Sequence, residues 1–117
     1  MTDPTADFFR NLKGRGREPL LNGVRATVRF DISRDRQTST WRVVVDDGDL
    51  VVSTDAGPAD CVLAADRPLF DGLASGRVNA MAALLRGELD VSGDPEMMVA
   101  LQRIFPGPPG GGGNGAR

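Results

Sequence analysis

Histidine and tyrosine are absent from this 117-residue chain, and cysteine, tryptophan and lysine occur once each. Without an imidazole that titrates near neutrality, Ser-His-Asp and Cys-His relays and most zinc sites cannot be assembled. What remains for catalysis is carboxylates, arginines, hydroxyls, one amine and one thiol. No general base with an orienting partner stands out among them, so the expectation is a protein that is not an enzyme and holds no cofactor or metal. The lone Cys61 cannot form an internal disulfide, which favours a reducing compartment, and the cytoplasm is the expected location. No stretch approaches the roughly 20 consecutive apolar residues of a membrane span, and Met1 to Arg10 carries two aspartates with no apolar segment of a signal peptide. Integral membrane association and export are therefore not expected. A net charge of -2 and a pI near 5.0 exclude the concentrated basic surface of a nucleic-acid binder.

What the chain does contain is 40% hydrophobic and 26% charged residues, the balance of one globular domain with one core. Asp3 followed by Pro4 predicts an N-cap with proline at the first helical position. The helix carries Phe8, Phe9 and Leu12 on one face, Lys13 near its end and Gly14 as its stop. A loop follows from Arg15 to Gly23, with a Leu20-Leu21 pair expected to tuck inward.

Val24, Ala26, Val28, Phe30 and Ile32 alternate strictly with polar residues, the period of a strand with one wet face. After a polar turn at Ser33 to Thr38 comes a second strand with Trp41, Val43 and Val45. Asp46-Asp47-Gly48 then turns into a third, Leu50 to Ser53. The three predict an antiparallel meander. Cys61 to Ala65 is read as a fourth, buried strand, although five apolar residues do not separate strand from helix by themselves.

The second half changes period. Asp66 predicts the cap of a helix bearing Leu69, Phe70, Leu73 and Ala74, closed by Gly76. Asn79 to Arg86 repeats the arrangement, with Ala80, Met81, Leu84 and Leu85 as its apolar face before Gly87. Leu89 and Val91 predict a short last strand. Asp94-Pro95-Glu96 opens a final helix with Met97, Met98, Leu101, Ile104 and Phe105. Residues 106–117 are almost entirely proline and glycine and are expected to be a disordered tail beyond a single domain over 3–105.

One apolar sheet face and three later helices with one apolar stripe each imply helices laid across one side of the sheet. Most of these side chains would serve as ordinary core. The flexible Met81, Met97 and Met98, however, are suited to lining a pocket of variable shape. An apolar slot is enough to bind a lipid: about 16 carbons at roughly 0.8 kcal/mol per methylene give about 13 kcal/mol gross, against several kcal/mol for association. Other candidate sites have plainer readings. Asp46, Asp47 and Asp49 lack the spacing and distal glutamate of a calcium loop. Cys61 is expected to be a buried, inert thiol. Lys13, Arg15 and Arg17 are read as a solvated loop, with anionic headgroups or an acyl-thioester phosphate as the alternative. Gly110 to Gly113 has neither the preceding strand nor the following helix of a phosphate loop.

An ordered series of motifs resembles the sterol carrier protein type 2-like domains. It comprises Phe30-Asp31, Asp46-Asp47-Gly48, Ala59-Asp60, Leu69-Phe70 with Leu73 and Gly76, and the run Gly87-Glu88-Leu89-Asp90-Val91-Ser92-Gly93-Asp94. The resemblance covers about Gly23 to Phe105. It implies an α+β fold, a five-stranded, mostly antiparallel sheet with helices on one face, and a hydrophobic tunnel that in relatives takes sterols, fatty acids or fatty-acyl thioesters. Two features depart from that pattern. The N-terminal helical region is shorter than in many members, leaving one wall of a tunnel undefined, and the closing Gly-Ala-Arg is not the peroxisomal tripeptide of eukaryotic carriers, which points to a bacterial protein or another compartment.

The expected function is non-catalytic binding or transfer of an apolar ligand. Its expected lining is Phe30, Trp41, Phe70, Leu73, Met81, Leu84, Leu85, Met97, Met98, Leu101, Ile104 and Phe105. The alternative is a solidly packed accessory module that regulates a partner enzyme. Self-association into a homodimer is left open.

Overall fold

The computed structural model describes residues 3–94, 96–97 and 104–105. Its first helix, α1 (Pro4–Arg15), begins as the sequence predicts, with the Asp3 carboxylate accepting from the Ala6 amide at 3.1 Å. It continues past Gly14, and Gly16, at φ 69°, is the left-handed residue that ends it. The extra residues place Arg15 in the last turn, where a cation complements the helix dipole. Phe8, Phe9 and Leu12 are buried. Of the following leucine pair, Leu21 is buried at the end of a short 3-10 helix, Pro19–Leu21, while Leu20 is 58% exposed.

Strands β1 (Arg25–Arg34) and β2 (Gln37–Asp46) form a longer hairpin than the alternation alone predicts, running to an Arg34↔Gln37 pair around Asp35 and Arg36. The β2–β3 hairpin turns on Asp47 and Gly48, both at positive φ, which matches the twist of the flanking strands. Gly48 is also required by proximity, since a Cβ there would lie 2.9 Å from Asn22 Oδ1 and 3.0 Å from the Glu18 carbonyl. With β3 (Asp49–Ser53), β4 (Cys61–Asp66) and β5 (Asp90–Gly93) the sheet order is β3-β2-β1-β4-β5. Among the described strands only β1 and β4 pair in parallel, so the sheet is mixed but mostly antiparallel, as expected. Asp60 pins the crossover, its amide donating to the Thr27 carbonyl and its carboxylate accepting from the Thr27 amide, both at 2.8 Å.

Asp66 caps α2 (Arg67–Ser75) through the Leu69 amide, and Gly76 closes it. Asn79 caps the shorter α3 (Ala80–Leu85). The helical layer differs from the expected one. It is α1 that lies against α2 and β3, while α2 packs on β1 and β4. Arg67 fastens the two helices together by ion pairs to Asp3 and to Asp71, the latter also accepting from Thr5 Oγ1 at 2.6 Å. From α3 the core receives Ala80 and Ala83, with Met81 and Leu84 half-buried against it. Leu85, expected on the inner face, is 81% exposed, because inward projection of Ala80 and Ala83 turns position 85 outward on a six-residue helix.

All five phenylalanines and the single tryptophan meet in one cluster. Phe9 is at its centre, stacked on Trp41 at 4.4 Å and on Phe70 at 5.6 Å, with Phe30 edge-on at 5.2 Å. Phe8 stacks on Phe105 at 5.0 Å, which ties Phe105 to α1. The remainder of the described core is aliphatic apart from the Cys61 thiol.

Candidate ligand-binding site

Beyond the aromatic cluster, the inner face of the sheet is built from branched and aliphatic side chains. Val24, Val28, Val43 and Val45, with Leu21, Met97 and Ile104, surround a wholly apolar void of about 10 Å³. That is room for roughly one water molecule, and such a dry space is empty in a well-packed protein. The gap expected between sheet and helices is therefore nearly closed among the described residues.

The far side of Ile104 is different. There Pro4, Asp7, Phe8, Asn11, Leu12 and Arg15 of α1 face Ala74, Ser75, Ile104 and Phe105 across a groove of about 440 Å³. This volume lies within the range of about 300–1,000 Å³ typical of small-ligand sites. Among the described residues Ile104 is the one that lines both spaces, and it is only 5% exposed.

The groove has two chemical edges. Phe8 and Leu12, with Ile104 and Phe105 opposite, form the apolar floor. Asp7, Asn11 and Arg15, four residues apart, place polar groups at about 6 Å intervals along its border. Arg10 donates to Asp7 at 2.8 Å, and Arg15 donates to Glu18 at 2.5 Å. Glu18 is buried, and its second oxygen accepts from the Leu20 amide. The cluster read as a solvated loop is thus partly structural, since Arg17 likewise bonds Asp49 and Asn22, both at 2.8 Å.

The predicted lining residues divide into several groups. Phe30, Phe70 and Leu73 are fully buried core, and Trp41 is partly buried in the aromatic cluster. Met97 and Ile104 border the void, and Ile104 and Phe105 border the groove. Met81 and Leu84 pack on the core without lining either space, and Leu85 is outside it. Met98 and Leu101 lie outside the described residues. Sequence reasoning missed Phe8, Leu12 and Leu21. The signal for them was present in the amphipathic first helix and in the inward leucine after Pro19.

Among the described residues, no group of three or more histidine, cysteine or acidic side chains is placed to hold a metal. The three aspartates around Gly48 are occupied by local structure, Asp47 accepting from the Gly23 amide and Asp46 and Asp49 pairing with Arg25 and Arg17. Burial pushes the Cys61 thiol up, helped by the Asp94 and Asp60 charges, the opposite of what a nucleophile needs. No helix among the described residues is long and apolar enough to cross a membrane.

Solved structures share this architecture. A crystal structure of sterol carrier protein 2 matches with a TM-score of 0.66 at 15% identity, covering 89% of this chain and 92% of that one. The solution structure of palmitated SCP2L2 from Aedes aegypti gives 0.64 at 17%, over 89% and 94%. A UbiJ-SCP2 ubiquinone synthesis protein gives 0.64 at 22%, over 86% and 90%. The model of the SCP-2 sterol transfer family matches residues 8–106, which includes all five strands and the segment that closes the seam. This chain belongs to the SCP-2 sterol transfer family.

Proposed function

We propose that this protein binds and transfers an apolar, lipid-like ligand without catalysis, and that the binding cavity is the groove and the seam joined when Ile104 moves aside. Sterols, fatty acids and fatty-acyl thioesters are the ligand classes that suit such a cavity. The observation that carries the reading is the position of Ile104, one side chain that lines both a 440 Å³ groove and an apolar seam. Displacing it would expose Val28, Val43 and Val45 to a hydrocarbon chain entering along Phe8 and Leu12. A chain of about 16 carbons gains roughly 13 kcal/mol gross on leaving water, enough to offset removal of one buried isoleucine at about 2–5 kcal/mol and still cover the association cost. The palmitated state named for the Aedes aegypti relative supports a hydrocarbon chain as cargo in this fold. The binding unit of this proposal is residues 3–105, in a cytoplasmic protein.

Native mass spectrometry of the protein as purified, followed by organic extraction and titration with a fluorescent fatty acid, tests the reading. A 1:1 lipid adduct or saturable uptake is expected. A ligand-free protein that takes up no probe would refute it.

One observation favours a second reading. A void of about 10 Å³ is a packed interior, and the likeness to a ubiquinone synthesis protein is compatible with an accessory module acting on an enzyme. That reading requires failure of lipid uptake together with stoichiometric, saturable binding to a defined enzyme.

A further inference from the structure

The polar edge of the groove bears on which ligands the site prefers. Pro4, Asp7, Phe8, Asn11, Leu12 and Arg15 follow one stripe of α1 at the i, i+3, i+4, i+7 spacing, so the groove runs along the helix for its whole length. A single-chain amphiphile laid in it would have its tail on Phe8, Leu12 and Ile104 and its head against Asn11 and Arg15. The charges at that edge are already matched. Asp7 is paired with Arg10, and Arg15 with a Glu18 that is 8% exposed and whose second oxygen accepts from the Leu20 amide. Lys13, the other cation of α1's last turn, does not line the groove. Asn11 is uncharged, and among the described residues its amide makes no side-chain hydrogen bond. The Arg15 end is also the C-terminal end of the helix dipole, which disfavours an anion.

We propose that Asp7, Asn11 and Arg15 form a head-group subsite, and that Glu18, by holding Arg15 in an ion pair, makes this subsite select uncharged hydroxyl heads over carboxylates. The proposal rests on the carrier reading above. A hydroxyl can accept from a free Arg15 or Asn11 N–H and donate to Asn11 Oδ1 or to the second oxygen of Asp7. A carboxylate meets a guanidinium whose charge is already neutralised, with a buried carboxylate behind it. Glu18 acts through Arg15 and is a positioning residue.

The test compares dodecanol with dodecanoate at pH 8 by displacement of a fluorescent probe from wild type, Glu18→Gln and Arg15→Gln. An apolar site prefers the alcohol on solubility grounds alone, so the diagnostic quantity is how the acid-to-alcohol affinity ratio shifts between proteins. Glutamine at 18 retains the oxygen that caps the Leu20 amide. It should shift the ratio about tenfold toward dodecanoate while leaving dodecanol affinity within about twofold. Arg15→Gln changes a half-exposed side chain and should lower dodecanoate affinity more than dodecanol affinity, because Glu18 is then unpaired. A ratio unchanged in Glu18→Gln, or in Arg15→Gln should the first variant not fold, overturns the proposal while the carrier reading stands. If wild type binds neither ligand, both fall.

Discussion

Replacing Ile104 with alanine should weaken the fold and strengthen ligand binding at the same time. The side chain is 5% exposed and touches two spaces, one of them already a void of about 10 Å³, so it has fewer packing contacts to lose than an isoleucine enclosed on all sides. Loss of a buried isoleucine to alanine costs about 2–5 kcal/mol, and contact with a pre-existing void places this site near the lower end, about 2–3 kcal/mol. In a domain of this size each kilocalorie moves the midpoint by about 4 °C, so thermal denaturation should show a fall of roughly 8–12 °C. On the joined-cavity reading Ile104 has moved out of the seam in the ligand-bound state and its packing is no longer at stake. The mutation then penalises the empty protein alone, and the thermodynamic cycle returns the difference as affinity: about 2 kcal/mol is nearly thirtyfold tighter binding of a fluorescent fatty acid. Urea denaturation gives the first number and probe titration the second. If stability falls while affinity falls with it or stays unchanged, Ile104 is ordinary core and the joined-cavity reasoning is wrong.

Three further outcomes follow from the packing. Phe9→Ala, which empties the centre of the aromatic cluster, should cost about 3–5 kcal/mol; a urea midpoint equivalent to less than about 1 kcal/mol would show that α1 is dispensable to the core. Gly93→Ala should cost about 2–3 kcal/mol and lower hydrogen-exchange protection in β5 first, because φ is +101° and a Cβ would fall on the Asp60 carbonyl; unaltered protection there counts against this pairing. The ion pair and hydrogen bond with Arg67, followed by the Ala6 amide, hold the Asp3 carboxyl below its ordinary value. Its contribution to stability is therefore complete above the unfolded pKa of about 3.9 and lost as pH falls through the lower folded value. Asp3→Asn keeps an N-cap but loses the charge, so the stability gap to wild type should be constant near neutrality and narrow below about pH 4. A gap that widens on acidification contradicts the assignment.

Strand positions were legible because period-two alternation leaves little choice: Val28, Phe30 and Ile32 can face the core together only in an extended chain. Helix starts were legible for a local reason, since Asp3, Asp66 and Asn79 each accept from an amide three residues on. Helix ends and faces were harder. Gly14 and Gly16 can each end a helix, and it is Gly16 that takes the left-handed conformation, its amide donating to the Leu12 carbonyl. On α3 the structure departs from the expected face at Ala83, which is buried, and Leu85, which is exposed, because every residue from Ala80 to Leu85 is apolar and a six-residue run carries no polar stripe to orient it. The site was only partly legible for a related reason. Methionine content drew attention to the later helices, whereas the groove belongs to the first, and nothing local to Phe8 or Leu12 says that Ile104 will lie opposite.

The division of the core between ring types bears directly on how such a site could open. Stacked and edge-on rings have directional partners, and Phe9 contacts four of the other five aromatic residues, so displacing any one breaks several oriented contacts. The valines and leucine at the other end have no such directionality, and a hydrocarbon chain can replace Ile104 against them with similar dispersion contacts. Phe105 belongs to the oriented set through Phe8 and Phe70, while its neighbour Ile104 belongs to the aliphatic set. The boundary between the part of the core that holds its shape and the part that can exchange one apolar filler for another therefore falls between two consecutive residues. A motion that leaves Phe105 stacked and swings only Ile104 would open the seam without unlocking α1. Phe105→Leu should consequently loosen the fold far more than it alters ligand preference, and a large change in preference from that variant would place the opening at the aromatic end instead.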